Sequence, residues 1–396
     1  MNNRPEAVIL ESKRTAIGAF RGSLSNLSAP ELGRRVAEQL IAMTHLNPGD
    51  IDQAIIGCVL QAGVGLNVAR QIAVRAGIPV ECPAFTVNEV CGSGLKAVEL
   101  AAQAIWLGNH HLVLAGGVES MSRAPFLIDR TESTDLCSDR VPIDHIQHDG
   151  LLDPFMQEAM AHTSEVVASE SSISRADQDA YAATSYARYF KARALLADEI
   201  VPVILASDDG DVLFDTDEPP RETTQDALAR LEPLLSSSGT VTAGNASNLS
   251  DGAALSLIAD RLWADRHNLP YKFVLRGFET VGLDPARMGL GPVKAIRALW
   301  QRLGISALDI DLYEINEAFA GQLLAVVQQL DLPPDRVNVN GGAIALGHPL
   351  GASGCRLVVT LTHEMARRGS QRGIAALCIG GGMGIAALVE TTHNTH

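Results

Sequence analysis

The sequence predicts an α/β protein made of two similar halves with a long segment inserted between them. Short apolar runs alternate with amphipathic helical patterns near both ends of the chain, which is typical of this class. A strand followed by paired glycines occurs at residues 112–117 and again at 376–381. From Ser120 to about Leu249 the alternation gives way to acidic, Ser-rich and Pro-containing stretches. The 396 residues suffice for two or three domains with a sizeable core.

In the first half, short apolar runs bounded by turn-forming residues indicate strands. These predicted strands are Ala7–Leu10, Ala54–Leu60, Ala84–Val87 and His111–Ala115. After the third strand, apolar residues recur at spacings of three and four, which predicts an amphipathic helix ending near Gly108. The apolar positions of that helix are Leu95, Val98, Ala102 and Ile105.

The inserted segment contains a long helical pattern, Arg175–Leu196, and strand-helix alternation then resumes. The second half has apolar runs that predict strands at Gly252–Ala259, Phe273–Leu275, Ile310–Tyr313, Val337–Val339 and Ala375–Ile379. Helical patterns between them predict helices at Pro292–Leu303, Ala318–Leu330 and Cys355–Arg368. The order of elements therefore repeats that of the first half, which indicates an internal duplication.

The composition excludes several classes of function. With 46 acidic and 31 basic residues the net charge is −15, which argues against binding a nucleic-acid backbone. Six scattered cysteines without a CxxC pair argue against a disulfide scaffold or a structural zinc site. His110-His111 and the His145/His148 pair lack ligand partners at convincing spacing, so we expect surface histidines and no metal. Without a leader-like start or a membrane-length apolar run, the sequence predicts a soluble cytoplasmic protein that binds no membrane.

Cys91 lies where a predicted strand passes into a predicted helix, and Gly92 and Gly94 follow it. Glycines at such a turn allow a sharp bend and a close approach by a ligand. A thiol at a helix N-terminus feels the positive end of the helix dipole, so we expect a lowered pKa and a reactive thiolate. The alternative is an inert cysteine that packs beneath the turn.

His348 and Cys378 are two further candidates for chemistry. His348 lies in a stretch rich in Gly and Ala, residues 340–351, and an imidazole suits proton transfer or oxyanion donation. It could equally be a loop histidine satisfied by a backbone group. Cys378 precedes the glycine run Gly380–Gly384, although a small core residue at a strand end is a simple alternative. A thiol, a histidine and a second thiol suggest an acyl-transfer site, but spacing alone does not bring them together.

Four motifs in order resemble the thiolase family, most closely its biosynthetic type. They are Cys91–Ala97, Asn316–Ala320, Asn338–Gly354 with Gly347-His348-Pro349 inside it, and Cys378–Gly384. The resemblance extends from Arg14 to the end of the chain. It implies a five-layer α/β/α/β/α fold with an N-terminal half at 1–120 and 250–271, an inserted loop domain at 121–249 and a C-terminal half at 272–396.

The resemblance also implies the reversible Claisen condensation of two acetyl-CoA molecules to acetoacetyl-CoA and CoA. Cys91 would carry the acetyl group, His348 would activate it, and Cys378 would move the α-proton of the second acetyl-CoA. Asn316 would hold a water in one oxyanion hole, and the amides of Cys91 and Gly380 would form another. Such chemistry builds negative charge on oxygen twice, for which preorganised donors are the usual solution. Coenzyme A thioesters are then substrates, and no separate cofactor or metal is expected.

The family pattern further assigns contacts with the substrate. Arg221 would line the adenine, Ser247 would contact the pantetheine, and Phe319 would belong to the substrate-binding set. Met160 and Met288 would lie near the acyl group and leave room only for a short chain. Without the resemblance, a methionine is usually core filler and an arginine usually a solvated charge.

Three positions depart from the pattern of many biosynthetic members. Ala159 stands where a histidine is common, Asn248 where a glycine is common, and Leu235 where an aromatic residue often touches the coenzyme. These departures affect coenzyme affinity and acyl-length preference, and they remove no catalytic group.

Three other functions remain as alternatives. A degradative 3-ketoacyl-CoA thiolase would have a longer acyl pocket, and a protein that only binds acyl-CoA would lack a catalytic group. A decarboxylating ketoacyl synthase would not carry a second catalytic cysteine. The resemblance also implies a homo-oligomer, a tetramer formed as a dimer of dimers, with a tetramer contact around Ala124–Ile143.

Overall fold

The computed structural model describes residues 5–128, 141–206 and 210–392. Its β-strands are β1 Ala7–Thr15, β2 Gly18–Ala19, β3 Gln53–Gly57, β4 Ala84–Val87, β5 Leu112–Ser120, β6 Phe126–Leu127, β7 Ile143–Asp144, β8 Leu152–Asp153, β9 Glu158–Ala159, β10 Ile200–Val201, β11 Val203–Leu205, β12 Val212–Phe214, β13 Ser250–Asp260, β14 Phe273–Gly282, β15 Leu312–Ile315, β16 Arg372–Ile379 and β17 Met383–Thr391. Its α-helices are α1 Ala29–Thr44, α2 Val68–Arg75, α3 Ser93–Trp106, α4 Met160–Glu170, α5 Arg175–Leu196, α6 Gln225–Leu228, α7 Arg261–Arg266, α8 Gly291–Leu303, α9 Ala320–Leu330, α10 Ala343–Leu346 and α11 Leu350–Arg368.

One large sheet runs through both halves in the order β15-β16-β17-β14-β1-β13-β5-β3-β4. The halves meet where β1 pairs with β14, and this pairing is short, from Val8↔Val274 to Ile9↔Phe273. The sheet therefore consists of two similar parts joined by a narrow seam.

The two parts repeat the same topology. In the first, β3 is parallel to β4 and β5, and β5, β13 and β1 then pair antiparallel. In the second, β15 is parallel to β16, and β16, β17 and β14 pair antiparallel. The connecting helices also correspond, with α1, α2 and α3 matched by α8, α9 and α11. The predicted duplication is confirmed.

The helices and the sheet form five layers. Helices α1 and α2 pack in one apolar cluster on the outer face of the first half, and α8 and α9 do the same on the second. Helices α3 and α11 share a third cluster with strands of both halves, so they form the middle layer. Because α11 is covered on all sides, every residue from Leu350 through Thr362 is buried. The five-layer α/β/α/β/α architecture is confirmed.

Glycines allow the two middle helices to touch backbone to backbone near their N-termini. A Cβ on Gly94 would lie 2.7 Å from the carbonyl oxygen of Gly351 and 2.9 Å from the amide nitrogen of Cys355. A Cβ on Gly117, in β5, would lie 1.8 Å from the same carbonyl oxygen. These contacts bring the N-termini of α3 and α11 to one place between the two halves.

The first strand is longer than its apolar run predicts, reaching Thr15 where the pattern ends at Leu10. Its polar end is buried because Arg14 donates to Glu199 at 2.6 Å and to Asp217 at 2.6 Å. A buried arginine paired with two carboxylates can occupy an interior position, which hydropathy alone does not reveal.

The predicted strand Val337–Val339 is wrong, because Val337 forms only an isolated parallel bridge with Tyr313. Asn338 has φ 45°, in the left-handed region, which ends extended geometry. Its side-chain amide donates to the Ile315 carbonyl at 2.8 Å, and its amide oxygen accepts from the Ile315 N–H at 2.8 Å. A side chain thus supplies the bonds that a second backbone strand would have made.

Three further findings bear on the sequence predictions. Among the described residues, none of the helices combines the length and apolarity needed to cross a bilayer. His145 is 5% exposed, so its prediction as a surface residue is wrong; its ring is held by Asp149 at 2.5 Å. Within the segment Ala124–Ile143, residues 129–140 lie outside the described ranges.

Candidate active site

Cys91 lies in a strained turn between β4 and α3. The residue before it, Val90, has φ 47°, which for a β-branched side chain costs about 1–3 kcal/mol. Hydrogen bonds hold the turn: Asn88 Oδ1 accepts from the Val90 N–H at 2.9 Å, and Ser93 Oγ accepts from the Glu89 N–H at 2.9 Å. The Ser93 hydroxyl also donates to the Val90 carbonyl at 2.6 Å. The turn therefore fixes the Cys91 backbone independently of the thiol.

Burial raises the pKa of the Cys91 thiol to about 11, and the charge of Glu119 adds to this effect. The backbone N–H groups of Gly380 and of Cys91 itself donate to the sulfur and oppose the rise. The expectation of a thiol pKa lowered by the helix dipole is wrong, because desolvation outweighs the dipole and the two N–H groups. The resting thiol is protonated and needs a base to become a nucleophile.

His348 immediately precedes Pro349, the N-cap residue of α11. The Ser353 hydroxyl donates to the Pro349 carbonyl at 2.9 Å, so its oxygen accepts from His348 Nδ1 at 2.5 Å. This network assigns the proton of the neutral ring to Nδ1 and leaves the lone pair on Nε2. Nε2 lies 3.4 Å from Nδ2 of Asn316, and the His348 N–H donates to the Asn248 carbonyl at 2.9 Å.

Burial lowers the pKa of His348 to about 3, and the positive charge of Arg356 acts in the same direction. The imidazole is therefore neutral around pH 7. A neutral imidazole with a fixed tautomer can accept a proton at Nε2 as soon as a donor arrives.

Asn316 follows β15 and is fully buried. Among the described residues its Oδ1 has no hydrogen-bond partner, which is unusual for a buried amide and fits a position that binds water or substrate. The next residue, Glu317, anchors this motif by accepting from the Tyr181 hydroxyl at 2.6 Å and the Ser185 hydroxyl at 2.7 Å. Both donors belong to α5, so the inserted segment helps to hold Asn316 in place.

Cys378 lies near the end of β16 and is 1% exposed. It packs with Met288 and Ala318, and Met160 and Phe319 border the same small cluster. Burial raises the pKa of the Cys378 thiol, and the charge of a Cys91 thiolate raises it further. The raised pKa keeps the Cys378 thiol protonated near pH 7. Its segment packs on that of Cys91, because a Cβ on Gly380 would lie 3.6 Å from a γ-carbon of Val90.

The glycine turn after Cys378 packs against the turn that holds Cys91. Gly381 and Gly382 have φ values of 81° and 85°, which favour glycine, and the Gly380 N–H faces the Cys91 sulfur. A Cβ on Gly380 would lie 3.3 Å from the sulfur of Met160. Met160 thus lies across the turn whose Gly380 N–H bonds the Cys91 sulfur.

The two predicted coenzyme contacts, Ser247 and Arg221, lie in different surroundings. The Ser247 N–H donates to the Ala318 carbonyl at 2.9 Å, which places Ser247 beside the Cys378 cluster. Arg221 is exposed, donates to the Ala243 carbonyl at 3.4 Å and has its guanidinium 6.0 Å from the centre of the Tyr186 ring. The structure shows no contact between Arg221 and the other predicted site residues.

Two of the departing positions, Ala159 and Leu235, lie next to α4. Ala159 is the N-cap residue of α4, directly before Met160, and offers no side-chain cap. Leu235 is 42% exposed and lines a surface cavity of about 620 Å³ with residues of α4, including His162 and Glu165.

Sequence reasoning missed Ser353, which fixes the tautomer of His348. Its position five residues after the histidine, in the first turns of α11, is the signal that could have identified it. Within the described ranges, no three His, Cys, Asp or Glu side chains gather closely enough to hold a metal ion. The chemical resources of the site are two protonated thiols, one neutral imidazole and several fixed N–H donors, a set suited to acyl transfer and proton transfer.

Comparison with known proteins gives matches along almost the whole chain. The family model described as "Thiolase, N-terminal domain" matches residues 7–261, and "Thiolase, C-terminal domain" matches residues 269–391. An acetyl-CoA acetyltransferase of Chromobacterium violaceum is 47% identical over 389 residues, which cover 97% of this chain and 99% of that protein.

Solved structures give the same result. The crystal structure of the Bacillus anthracis acetyl-CoA acetyltransferase superposes with a TM-score of 0.95 at 37% identity, covering 99% of this chain and all of the other. Human mitochondrial 3-ketoacyl-CoA thiolase in complex with CoA superposes with a TM-score of 0.93 at 38% identity, covering 98% of each chain. With both domain models matched and this degree of identity over nearly its full length, the chain belongs to the thiolase family.

Proposed function

We propose that the chain is an acetyl-CoA C-acetyltransferase, which joins two acetyl-CoA molecules into acetoacetyl-CoA and CoA and also catalyses the reverse reaction. The observation that carries this proposal is that the segments holding the two thiols pack on each other: a Cβ on Gly380, two residues after Cys378, would lie 3.6 Å from a γ-carbon of Val90, the residue before Cys91. One thiol can hold an acyl group while the other handles a proton, which is what a Claisen condensation requires. The names of relatives such as the Chromobacterium violaceum protein support the acetyl-specific form.

In the acylation step, Nε2 of His348 takes the proton from the Cys91 sulfur. The thiolate forms a bond with the carbonyl carbon of acetyl-CoA, and the N–H groups of Cys91 and Gly380 stabilise the oxyanion. The bond between that carbon and the CoA sulfur then breaks, and the departing sulfur takes the proton of Cys378. The step leaves an acetyl-Cys91, a protonated His348 and a Cys378 thiolate.

In the condensation step, the Cys378 thiolate removes a proton from the α-carbon of a second acetyl-CoA. Asn316, through a water on its unpartnered Oδ1, and the protonated His348 stabilise the enolate oxygen. The α-carbon bonds to the acetyl carbonyl carbon, the bond to Cys91 breaks, and the Cys91 sulfur takes the proton from His348. All three groups return to their resting protonation states, so the cycle needs no resident cofactor or metal.

The acyl pocket supports a preference for short chains. Met288 is 3% exposed and packs on Cys378, and Met160 borders the same cluster, so both side chains occupy volume beyond a two-carbon group. Excluding a methylene from a filled pocket is worth about 1–3 kcal/mol, or roughly 10–200-fold in kcat/KM. Ser247 would then contact the pantetheine and Arg221 the adenine, where the coenzyme extends towards solvent.

The acetylation site is tested by mixing the protein with radiolabelled acetyl-CoA and mapping the labelled peptide. We expect the label on the peptide that contains Cys91, and Cys91→Ser should slow turnover by several orders of magnitude. Cys58→Ser, which alters another buried thiol, is the control and should leave the label in place. A label retained after Cys91→Ser would contradict the assignment.

The role of Cys378 is tested separately through proton exchange. Cys378→Ala should still form the acetyl-enzyme but should lose the exchange of the α-protons of acetyl-CoA with solvent deuterium. Exchange at the unmodified rate would show that another group moves this proton.

A degradative 3-ketoacyl-CoA thiolase is the second candidate, favoured by the superposition on the human mitochondrial enzyme. The two candidates differ in how turnover depends on chain length. We expect acetoacetyl-CoA to be cleaved faster than 3-ketohexanoyl-CoA and much faster than 3-ketodecanoyl-CoA, and Met160→Ala should narrow the difference. Equal or faster cleavage of the longer thioesters would favour the degradative function.

We also propose a homotetramer, a dimer of dimers, as the active form, and the cytoplasm as its location. The support for the assembly is the family membership, and the support for the location is the set of bacterial relatives. Size-exclusion chromatography with light scattering tests the assembly, since a mass near 42.0 kDa would correspond to one chain.

A further inference from the structure

Glu119 is the penultimate residue of β5, next to the candidate active site, and it is completely buried. Its Oε2 accepts from the Gly351 N–H at 2.9 Å and from the Val59 N–H at 3.0 Å, and its Oε1 accepts from the Leu60 N–H at 3.1 Å. The thiol of Cys58 donates to Oε1 at 3.6 Å. A buried carboxylate with three backbone donors is a built structural feature, and the chemistry proposed above does not use it.

These contacts connect Glu119 to both reactive side chains. Gly351 lies in the first turn of α11, three residues after His348. Leu60, whose N–H the carboxylate holds, packs in one apolar cluster with Leu350 and Cys91. The carboxylate therefore lies between the helix that follows the base and the loop that packs on the nucleophile.

We propose that Glu119 is a positioning residue for the acylation step, in which its carboxylate holds the first turn of α11 and offsets the positive end of that helix so that His348 can accept the proton of Cys91. The proposal rests on the roles proposed above for Cys91 and His348. It assigns Glu119 no contact with the substrate.

The electrostatic reason is the position of His348 at the N-terminus of a helix. The positive end of a helix dipole lowers the proton affinity of a nearby imidazole. A carboxylate bonded to a first-turn N–H supplies the opposite charge and restores part of that affinity. The same charge disfavours a Cys91 thiolate at rest, so the proton transfers only when the acyl carbonyl is there to receive the thiolate.

Glu119 is also the group of the three that titrates near neutrality. Burial raises its pKa to about 7 against the effect of its hydrogen bonds, while the pKa values of Cys91 and His348 are about 11 and about 3. The titratable groups that face it are Cys58, which follows β3 and donates to its Oε1, and Cys91, whose pKa its charge raises. His348 is connected to it through the backbone, three residues before Gly351. From the adjacent strand β13, Asp251 binds the Ser122 N–H instead. Since the ionised form is the useful one, acylation should accelerate as pH rises through about 7.

The test measures single-turnover acetylation of Cys91 by acetyl-CoA, by quenched-flow mass spectrometry from pH 5 to pH 9. We expect an inflection near pH 7 in the unmodified protein. Glu119→Gln should remove the inflection and slow acetylation at pH 8 by tenfold or more. Asp251→Asn is the matched control, since it neutralises another buried carboxylate that accepts a backbone N–H, and it should retain the inflection.

The outcomes are distinguishable from those that test the proposed function. Acetylation at a residue other than Cys91 would refute the proposed function itself. Acetylation at Cys91 with the inflection unchanged in Glu119→Gln would overturn only the role of Glu119, and so would an equal slowing at every pH. If Glu119→Gln does not fold, Glu119→Asp decides the question, because its shorter side chain should shift the inflection and an unshifted inflection would overturn the proposal.

Discussion

The turns before α3 and α11 occupy the same place in the two halves, yet they present their reactive side chains differently. Before α3, the strained conformation of Val90 and the hydrogen bonds of the turn fix the backbone. The thiol of Cys91 is bonded there by backbone N–H groups, those of Gly380 and of Cys91 itself. Before α11, the ring of His348 is itself fixed, at one nitrogen by Ser353 and at the other by Asn316. One turn holds a backbone and leaves its side chain open, and the other immobilises its side chain.

This difference separates what the duplication determines, which is position, from what the local surroundings determine, which is protonation. The repeated topology brings two helix N-termini together between the halves, and that placement is the same for both turns. Burial then sets the protonation of each side chain, which keeps the Cys91 thiol protonated and the His348 ring neutral. Changes to one turn should therefore have consequences that the equivalent change in the other turn does not have.

The largest expected effect follows from removing the fixed base. His348→Ala should slow acetylation of Cys91 by about 10²–10⁴-fold, the usual contribution of a positioned general base. Single-turnover labelling measures the effect. His363→Ala is the control, because this histidine lies within α11 and contacts Lys13 and the Val359 carbonyl instead. A loss of less than tenfold would mean that another group takes the proton.

The next effect comes from separating the two turns. Gly94→Ala places a Cβ 2.7 Å from the Gly351 carbonyl oxygen, so α3 and α11 must move apart. We expect the free energy of unfolding to fall by about 1–3 kcal/mol, a typical cost of overpacking, together with a loss of activity. Denaturant unfolding measures the change in the free energy of unfolding. Gly49→Ala, whose Cβ would meet nothing closer than 3.4 Å, should change little, and equal stability of the two variants would refute the close contact.

A smaller effect is expected from loosening the imidazole alone. Ser353→Ala removes the partner of Nδ1, so the ring can rotate and the second tautomer becomes accessible. We expect kcat to fall about tenfold, equivalent to about 1.4 kcal/mol, with little change in KM. Ser256→Ala, which removes a buried hydroxyl bonded to Cys355, is the comparison variant. Equal losses of activity in the two variants would show that the tautomer of His348 does not control kcat.

The smallest catalytic effect is expected from the equivalent hydroxyl in the other turn. Ser93→Ala leaves the Glu89 N–H without its acceptor, which should lower the free energy of unfolding by about 1–3 kcal/mol. Because the hydroxyl holds backbone and does not touch the thiol, turnover by the folded fraction should change less than in Ser353→Ala. Parallel unfolding and activity measurements on both variants test this, and a larger loss of turnover in Ser93→Ala would reverse the comparison.

Local patterns predicted much of the fold because most elements bury apolar residues at regular spacing. The strand Ala84–Val87 and the helix Arg175–Leu196 were predicted with the bounds that the structure shows. The pattern failed where buried polar groups replace apolar ones. β1 extends through Arg14 because two carboxylates distant in sequence pair with its side chain. Residues 337–339 do not form the predicted strand, because the Asn338 side chain makes the hydrogen bonds to the Ile315 backbone.

The candidate site was predictable only through motifs that combine distant segments. Those motifs located Cys91, Asn316, His348 and Cys378, but burial set their protonation, and burial is a property of the folded chain. The prediction of a Cys91 thiolate is wrong for this reason, because burial raises the pKa of the thiol. Glu119 gave no signal in the sequence, because its function depends on backbone donors from residues 59, 60 and 351 that meet only in three dimensions.

The complete burial of α11 from Leu350 through Thr362 has a consequence for the evolution of such a chain. Any substitution along this stretch alters packing against both halves, so the helix offers almost no neutral positions for drift. The hairpin Leu152–Ala159 is partly exposed instead, and its Phe155 lies near the glycine turn after Cys378, since a Cβ on Gly381 would lie 3.9 Å from the Phe155 ring. New substrate preferences can therefore arise in the inserted segment while the central helix, and the histidine it follows, stay as they are.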